Sequence, residues 1–149
     1  MILFRPLLLL LAIFPASGLY AQKEHKAIKE TINRFFEGME SGDTALLKSA
    51  CTPAPIFQTY RKDRDGNWAV VTEDFQDFLA FVAKPTQDKY DEQIKFGAIH
   101  AEASLASVWT PYTFFINGKI SHAGTNSFQL VKTPEGWKIQ YIIDTRRRP

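Results

Sequence analysis

His122 and Asp144 are the two residues of this 149-residue sequence whose types best suit proton transfer near neutral pH, an imidazole with a carboxylate to orient it. Asn126 and Tyr141 could steady a developing oxyanion, and Trp109, Thr113 and Phe36 could hold an apolar or aromatic body. Other reactive groups are sparse. His25 and His100 have no close metal-ligand spacing, and the acidic pairs Asp63/Asp65 and Asp91/Glu92 fall in turns or strand starts without metal-loop spacing. The lone Cys51 excludes an internal disulfide and a cysteine-rich zinc site, and reads as a buried apolar residue. Ser-His-Asp order, a phosphate loop and a redox motif are all missing, so neither metal nor cofactor is expected.

The elements that must position these residues follow from periodicity. Ala27, Ile28, Thr31, Ile32, Phe35, Phe36 and Met39 recur at three- and four-residue steps, predicting a helix over Lys23 to Ser41 that Gly42 ends. Asp43 is the natural N-cap of a short helix from Thr44 to Ala50, and Pro53 and Pro55 force Ile56 to Tyr60 to be extended. After the turn residues 64–67, Trp68 to Val71 reads as a strand. Thr72 could cap a third helix with Phe75, Phe78, Leu79 and Val82 on its apolar face. Beyond Tyr90 the period changes to two, predicting strands near Gln93 to Glu102, Leu105 to Ile116, Lys119 to Lys132 and Trp137 to Thr145. Asn117-Gly118 is a two-residue hairpin turn, and 133–136 forms the next turn.

Strict alternation from those turns assigns faces. It pairs Thr113 with His122, Trp109 with Asn126, Phe128 with Tyr141 and Asn126 with Ile143, all on one side of the sheet as the lining of a cavity under the first helix. Val108, Thr110, Tyr112, Phe114 and Ile116 fall on the opposite, outer face, which is apolar enough to suggest a homodimer. The same rule sends Asp144 to the outer face, where it would pair with one of the arginines that follow it. A bulge near Pro111, Gly124 or Thr125 would swing it inward beside His122. The catalytic pair is therefore conditional on a bulge. Arg146 to Arg148 read as a solvated strand end.

Helices followed by long antiparallel strands make this an α+β chain, a curved sheet forming a cone with about three N-terminal helices on its concave face. The long helix ending in Gly42-Asp43, the short helix, the strand, the third helix and the long strands, the last opening with Gly136-Trp137-Lys138-Ile139, resemble the nuclear transport factor 2-like superfamily. That superfamily includes SnoaL-like cyclases and ketosteroid isomerase. The Ser121-His122-Ala123-Gly124 stretch and the closing Asp144-Thr145-Arg146-Arg147-Arg148 resemble an exported bacterial subgroup without settled activity. The resemblance implies a cone-shaped, ligand-sized cavity and a dimer through the sheet, and spans enzymes, binders and assembly modules alike.

Composition sets the remaining bounds. Hydrophobic residues at 45% and charged residues at 23% describe an ordinary globular domain, and a net charge of +2 is too small to argue for nucleic acid. Residues 1–21 carry Arg5, the apolar run Leu7 to Phe14, and Ala21 before the expected cut, the pattern of an export signal too short to be a permanent membrane anchor. Residues 22–149 then form a single domain in the periplasm or outside the cell. The expected function is binding of a small apolar or aromatic molecule. The alternatives are a cofactor-free isomerase, cyclase or dehydratase using His122 with Asp144, and a dimeric assembly module.

Overall fold

A computed structural model describes residues 16–147, so most of the expected export signal lies outside the described residues. The first helix, α1 (Ala16–Ser41), runs unbroken across the expected cut after Ala21. Its Ile28, Thr31, Ile32, Phe35 and Phe36 form one buried stripe, because residues three and four apart share a helix face. Gly42 takes φ +74°, the left-handed conformation a helix end favours in glycine. Asp43 caps α2 (Thr44–Ala50), its carboxylate accepting from the backbone N–H groups of Ala45 and Leu46.

The chain then enters β1 (Cys51–Lys62) and β2 (Trp68–Glu73). The third helix, α3 (Phe75–Val82), is capped by Asp74 rather than Thr72, since the strand before it continues to Glu73. The expected strand over 93–102 is two pieces, β3 (Tyr90–Ile94) and β4 (Ile99–Glu102), both paired with β5 (Leu105–Ile116). Pro111 of β5 explains the break. Its carbonyl accepts from Lys95 N–H at 2.9 Å, but proline has no N–H to return the bond. Gly97 then presses against the strand, where a Cβ would lie 2.9 Å from the Trp109 carbonyl oxygen.

The long strands β6 (Lys119–Thr133) and β7 (Gly136–Arg147) complete a sheet ordered β2-β1-β7-β6-β5-β3, antiparallel except where β1 runs parallel to β7. Asn117 and Gly118 both take positive φ at the β5–β6 turn, as a type I′ hairpin requires. The helices and the concave side of the sheet enclose the core, centred on Phe128, Leu130, Ile139 and Leu47, all fully buried. Cys51 is buried there too, and burial pushes its thiol up to about 12, leaving it unreactive.

Two bulges overturn the expected faces. Phe115 pairs with Ile120, but Phe114 pairs with His122, so Ser121 is an extra residue in β6. Leu130 pairs with Ile139, but Gln129 pairs with Tyr141, so Gln140 is extra in β7. Neither bulge sits at Pro111, Gly124 or Thr125. Each shifts everything beyond it by one residue, and a one-residue shift exchanges the two faces of a strand. Val108, Thr110, Tyr112, Phe114 and Ile116 therefore turn inward, while Trp109, Thr113 and, beyond Gln140, Tyr141 and Ile143 turn outward.

The crossing of Tyr112 over Gly124 holds this register. Tyr112 on β5, Gly124 on β6 and Arg146 on β7 lie in one cross-strand row. A Cβ on Gly124 would stand 1.8 Å from the Thr145 carbonyl oxygen and 2.6 Å from the Tyr112 ring, so only glycine leaves room. Gly124→Ala is expected to lower stability by about 3 kcal/mol, read as a lower urea midpoint at unchanged slope. A change within experimental error would show that the ring does not press on this backbone.

Candidate functional site

A cavity of about 690 Å³ lies between the concave face of the sheet and the helices α1 and α3. One side is a wall of edge-to-face rings. Phe35 meets Phe57 at 5.6 Å, Phe36 meets Phe128 at 6.1 Å, and Phe57 meets Phe78 at 5.4 Å. A second group of rings crosses from α3 into the sheet, with Phe81 against Tyr90, Tyr90 stacked on Phe114, and Phe114 against His122 at 5.0 Å.

The polar end is built by neighbouring rows of the sheet. Thr110, Asn126 and Asp144 are direct cross-strand neighbours, and Tyr112, Gly124 and Arg146 form the next row. The Tyr112 hydroxyl donates to Asp144 Oδ2 at 2.8 Å and lies 3.2 Å from the Thr145 carbonyl. Arg146 Nε donates to the same Oδ2 at 3.1 Å, and its Nη2 reaches Thr59 at 3.4 Å. Burial works against the Arg146 charge, but Asp144, with smaller contributions from Tyr112 and Glu73, holds the guanidinium above its ordinary range. The Tyr112 hydroxyl is pushed upward too, first by burial and then by the same carboxylate, so the phenol stays protonated.

Glu92 comes into the cavity from β3. Asn126 Nδ2 donates to its Oε1 at 2.9 Å, and its own backbone N–H donates to Glu40 of α1 at 3.1 Å. Among the described residues no lysine or arginine pairs with it. Burial raises its carboxyl to about 7, the Asn126 hydrogen bond opposing and the Asp144 charge adding. His122 is half-buried, its Nδ1 3.1 Å from Ser121 Oγ. Burial, and after it the Arg146 charge, lowers its pKa, so the ring is neutral at pH 7.

Of the residues expected to form the site, Phe36, His122, Asn126 and Asp144 line the cavity. His122 and Asp144 face the same space without a hydrogen bond between them, and Asp144 Oδ2 is engaged by Tyr112 and Arg146. Trp109, Thr113 and Tyr141 do not reach it. Trp109 is 53% exposed on the outer face, and the Tyr141 hydroxyl donates to Gln58 at 2.7 Å. The bulges that turned their strands over removed all three.

Three residues take part that sequence reasoning passed over. Strict alternation puts Tyr112 outside, and the sequence pattern makes Arg146 a solvated strand end and Glu92 a strand start, yet all three line the cavity. Gly124 was the available signal for Tyr112, since a glycine inside a strand also marks a close approach by another group. Among the described residues no three metal-ligating side chains come together.

The arrangement now bears comparison with known structures. The sequence matches no protein-family model and no curated protein. Solved structures do match. An NTF2-like protein of unknown function from Shewanella baltica superposes with a TM-score of 0.65 at 18% identity, over 87% of this chain and 98% of that one. An NTF2-like protein with a cystatin-like fold from Novosphingobium aromaticivorans gives 0.67 at 15% identity, over 88% and 86%. The chain has the NTF2-like fold. A candidate dehydratase of the NTF2-like family from Streptomyces avermitilis gives 0.63 at 17% identity, over 87% and 99%. At these identities the NTF2-like likeness concerns the α+β cone alone, and the chemistry of the cavity rests on its residues.

Glu92 weakens the fold it belongs to. A carboxyl raised from 4.5 to about 7 withholds about 3 kcal/mol from the ionised native state. Its protonated form is the one the fold favours, so its contribution is complete below pH 4.5 and is lost as pH rises through about 7. Glu92→Gln is expected to raise stability at pH 8 by about 1–3 kcal/mol, with the gain vanishing below the ordinary carboxylate range. Urea unfolding across pH 4 to 8 checks this, and a gain independent of pH would refute it.

Proposed function

We propose that this protein binds one small, largely apolar or aromatic molecule in the cavity between its sheet and α1. The observation that carries the reading is the combination of a wall of phenylalanine rings with a confined polar end of Asp144, Tyr112, Asn126, Glu92 and His122. Ligand sites are mostly apolar hollows of roughly 300–1,000 Å³ with a few convergent polar groups, and 690 Å³ falls within that range. A buried acid that destabilises the native state also fits a group kept for its interaction with a ligand.

The proposal includes export and self-association. The amino end has the pattern of a removable signal ending at Ala21. The outer sheet face exposes Ile56, Tyr60, Trp68 and Val70 on the neighbouring strands β1 and β2, and Trp109 on β5, apolar surface suited to a second copy of the chain. Native mass spectrometry of the protein purified from its own host tests all three parts. The expected species is twice the mass of a chain beginning at Gln22, carrying a small added mass that leaves on denaturation. A bare monomer of the full chain would sink the reading.

A second reading, a cofactor-free isomerase, cyclase or dehydratase, is favoured by Glu92. A carboxyl poised at about 7 suits a general acid or base at neutral pH. His122, neutral and beside Ser121, would be its partner in proton transfer. The fold shared with a candidate dehydratase is consistent with this chemistry. His122→Ala separates the two readings. Loss of the retained molecule supports binding, whereas retention with lost conversion of that molecule supports catalysis.

A further inference from the structure

Among the described residues, the polar end of the cavity has more free acceptors than free donors. Asp144 Oδ2 receives both Tyr112 and Arg146, while Oδ1 has no partner among the described residues. Glu92 Oε1 receives Asn126, and Oε2 likewise has none. Neither free oxygen is among the buried polar atoms sealed off without a partner, so both keep accessible surface, and both residues line the cavity. The Tyr112 hydroxyl has one proton and two acceptor-only neighbours, Asp144 Oδ2 and the Thr145 carbonyl, so it has only lone pairs left to offer.

The charge around the cavity points the same way. Among the described residues, Glu73, Asp74, Asp77, Glu92 and Asp144 line it against Arg61 and Arg146, and Arg146 is already paired with Asp144. Burial raises the Glu73 carboxyl as well as that of Glu92, as expected where carboxylates outnumber cations in a partly desolvated space. The neutral His122 does not redress the balance. A carboxylate ligand would meet repulsion and too few donors. A neutral ligand would leave Glu92 unmatched. A protonated amine supplies both the missing charge and up to three donors, and the surrounding ring faces favour a cation.

We infer that the cavity takes an organic cation, a protonated amine on an aromatic or aliphatic body, with its ammonium held by Glu92 and Asp144 and its body against the phenylalanine wall. The inference rests on the binding reading above and names the ligand class of that site. Asn126 fixes the position of the ammonium, since it is the cross-strand neighbour of Asp144 and donates to Glu92. Arg146 remains in place as the partner of Asp144 Oδ2, leaving Oδ1 and Glu92 for the ligand.

Three ligands of one shape test it: 2-(1-naphthyl)ethylamine, 2-(1-naphthyl)ethanol and 1-naphthylacetate, titrated calorimetrically into the intact protein at pH 8. The amine is expected to bind at least about tenfold tighter than the alcohol, and the carboxylate weakest, as for a charge-assisted hydrogen bond in a partly buried site. In Glu92→Gln the ratio of amine to alcohol affinity should fall to within about threefold. A wild-type measurement that needs no variant accompanies it. Amine affinity should rise several-fold between pH 6 and pH 8 while alcohol affinity does not, because the ammonium needs Glu92 ionised. The charged and titratable groups around Glu92 are Glu40 from α1, Tyr112 from β5, His122 from β6, and Asp144 and Arg146 from β7. Burial lowers the His122 pKa and raises that of Glu40, so the same pH comparison in Glu92→Gln, where the rise should vanish, assigns it to Glu92. Tighter binding of the alcohol or the carboxylate overturns the cation assignment and leaves the cavity a binding site. Failure of all three to bind overturns the binding reading itself, and this inference with it.

Discussion

The contact on which this structure turns is the phenol of Tyr112 lying across Gly124 to reach Asp144. It joins three consecutive strands, β5, β6 and β7, through one side chain and one absent Cβ. Tyr112 is 5% exposed and Asp144 8% exposed, so the bond between them is shielded from competing water and is stronger for it. Arg146 closes the group by neutralising the carboxylate that Tyr112 holds. Without that pairing, a buried Asp144 would bear the full penalty of an uncompensated charge.

The two bulges make this contact possible. Ser121 and Gln140 each add one residue, and together they bring Tyr112, Gly124 and Arg146 into one row and Asn126 and Asp144 into the next. Bulged strands bend and twist more strongly, which is what a sheet needs in order to curl around helices. The curvature that encloses the cavity and the polar groups that line it therefore share one cause. The same shift leaves Trp109, Thr113 and Tyr141 on the convex side, where they serve the outer surface instead of the cavity.

The chemical character of the cavity comes from an imbalance that the fold tolerates. The phenylalanine wall contributes burial, and α1 is held to the hairpin end of the sheet by Glu24, whose carboxylate accepts from both Lys132 at 2.7 Å and Trp137 Nε1 at 2.8 Å. Those two hydrogen bonds lower the Glu24 pKa, so this acid strengthens the fold when ionised. Glu92 does the reverse. Among the described residues its carboxylate has one hydrogen-bond partner, the Asn126 amide, and burial raises it to about 7. One carboxylate is placed for stability, the other at its expense, and the second is the one that opens into the cavity.

Most of the architecture was written locally. The helix stripe of Ile28, Ile32, Phe35 and Phe36, the Asp43 cap, the Asn117-Gly118 turn and the inward face of β6 each depend on residues within a few positions of one another, where a 3.6 or two-residue period is reliable. The site was only half legible for the same reason. His122 and Asn126 lie on the correctly read strand, but alternation carries nothing except parity, and one unsuspected bulge reverses every side chain beyond it. Tyr112 and Asp144 turned inward, and Trp109, Thr113 and Tyr141 outward, on the strength of Ser121 and Gln140 alone. Glu92 had no local signal at all, because its character comes from Asn126, thirty-four residues away in the chain, and from the burial around it. The elements, their order and the α+β cone follow from local pattern. Which polar groups share the cavity does not, because register is set where distant strands pair, and a single extra residue in one of them exchanges the two faces.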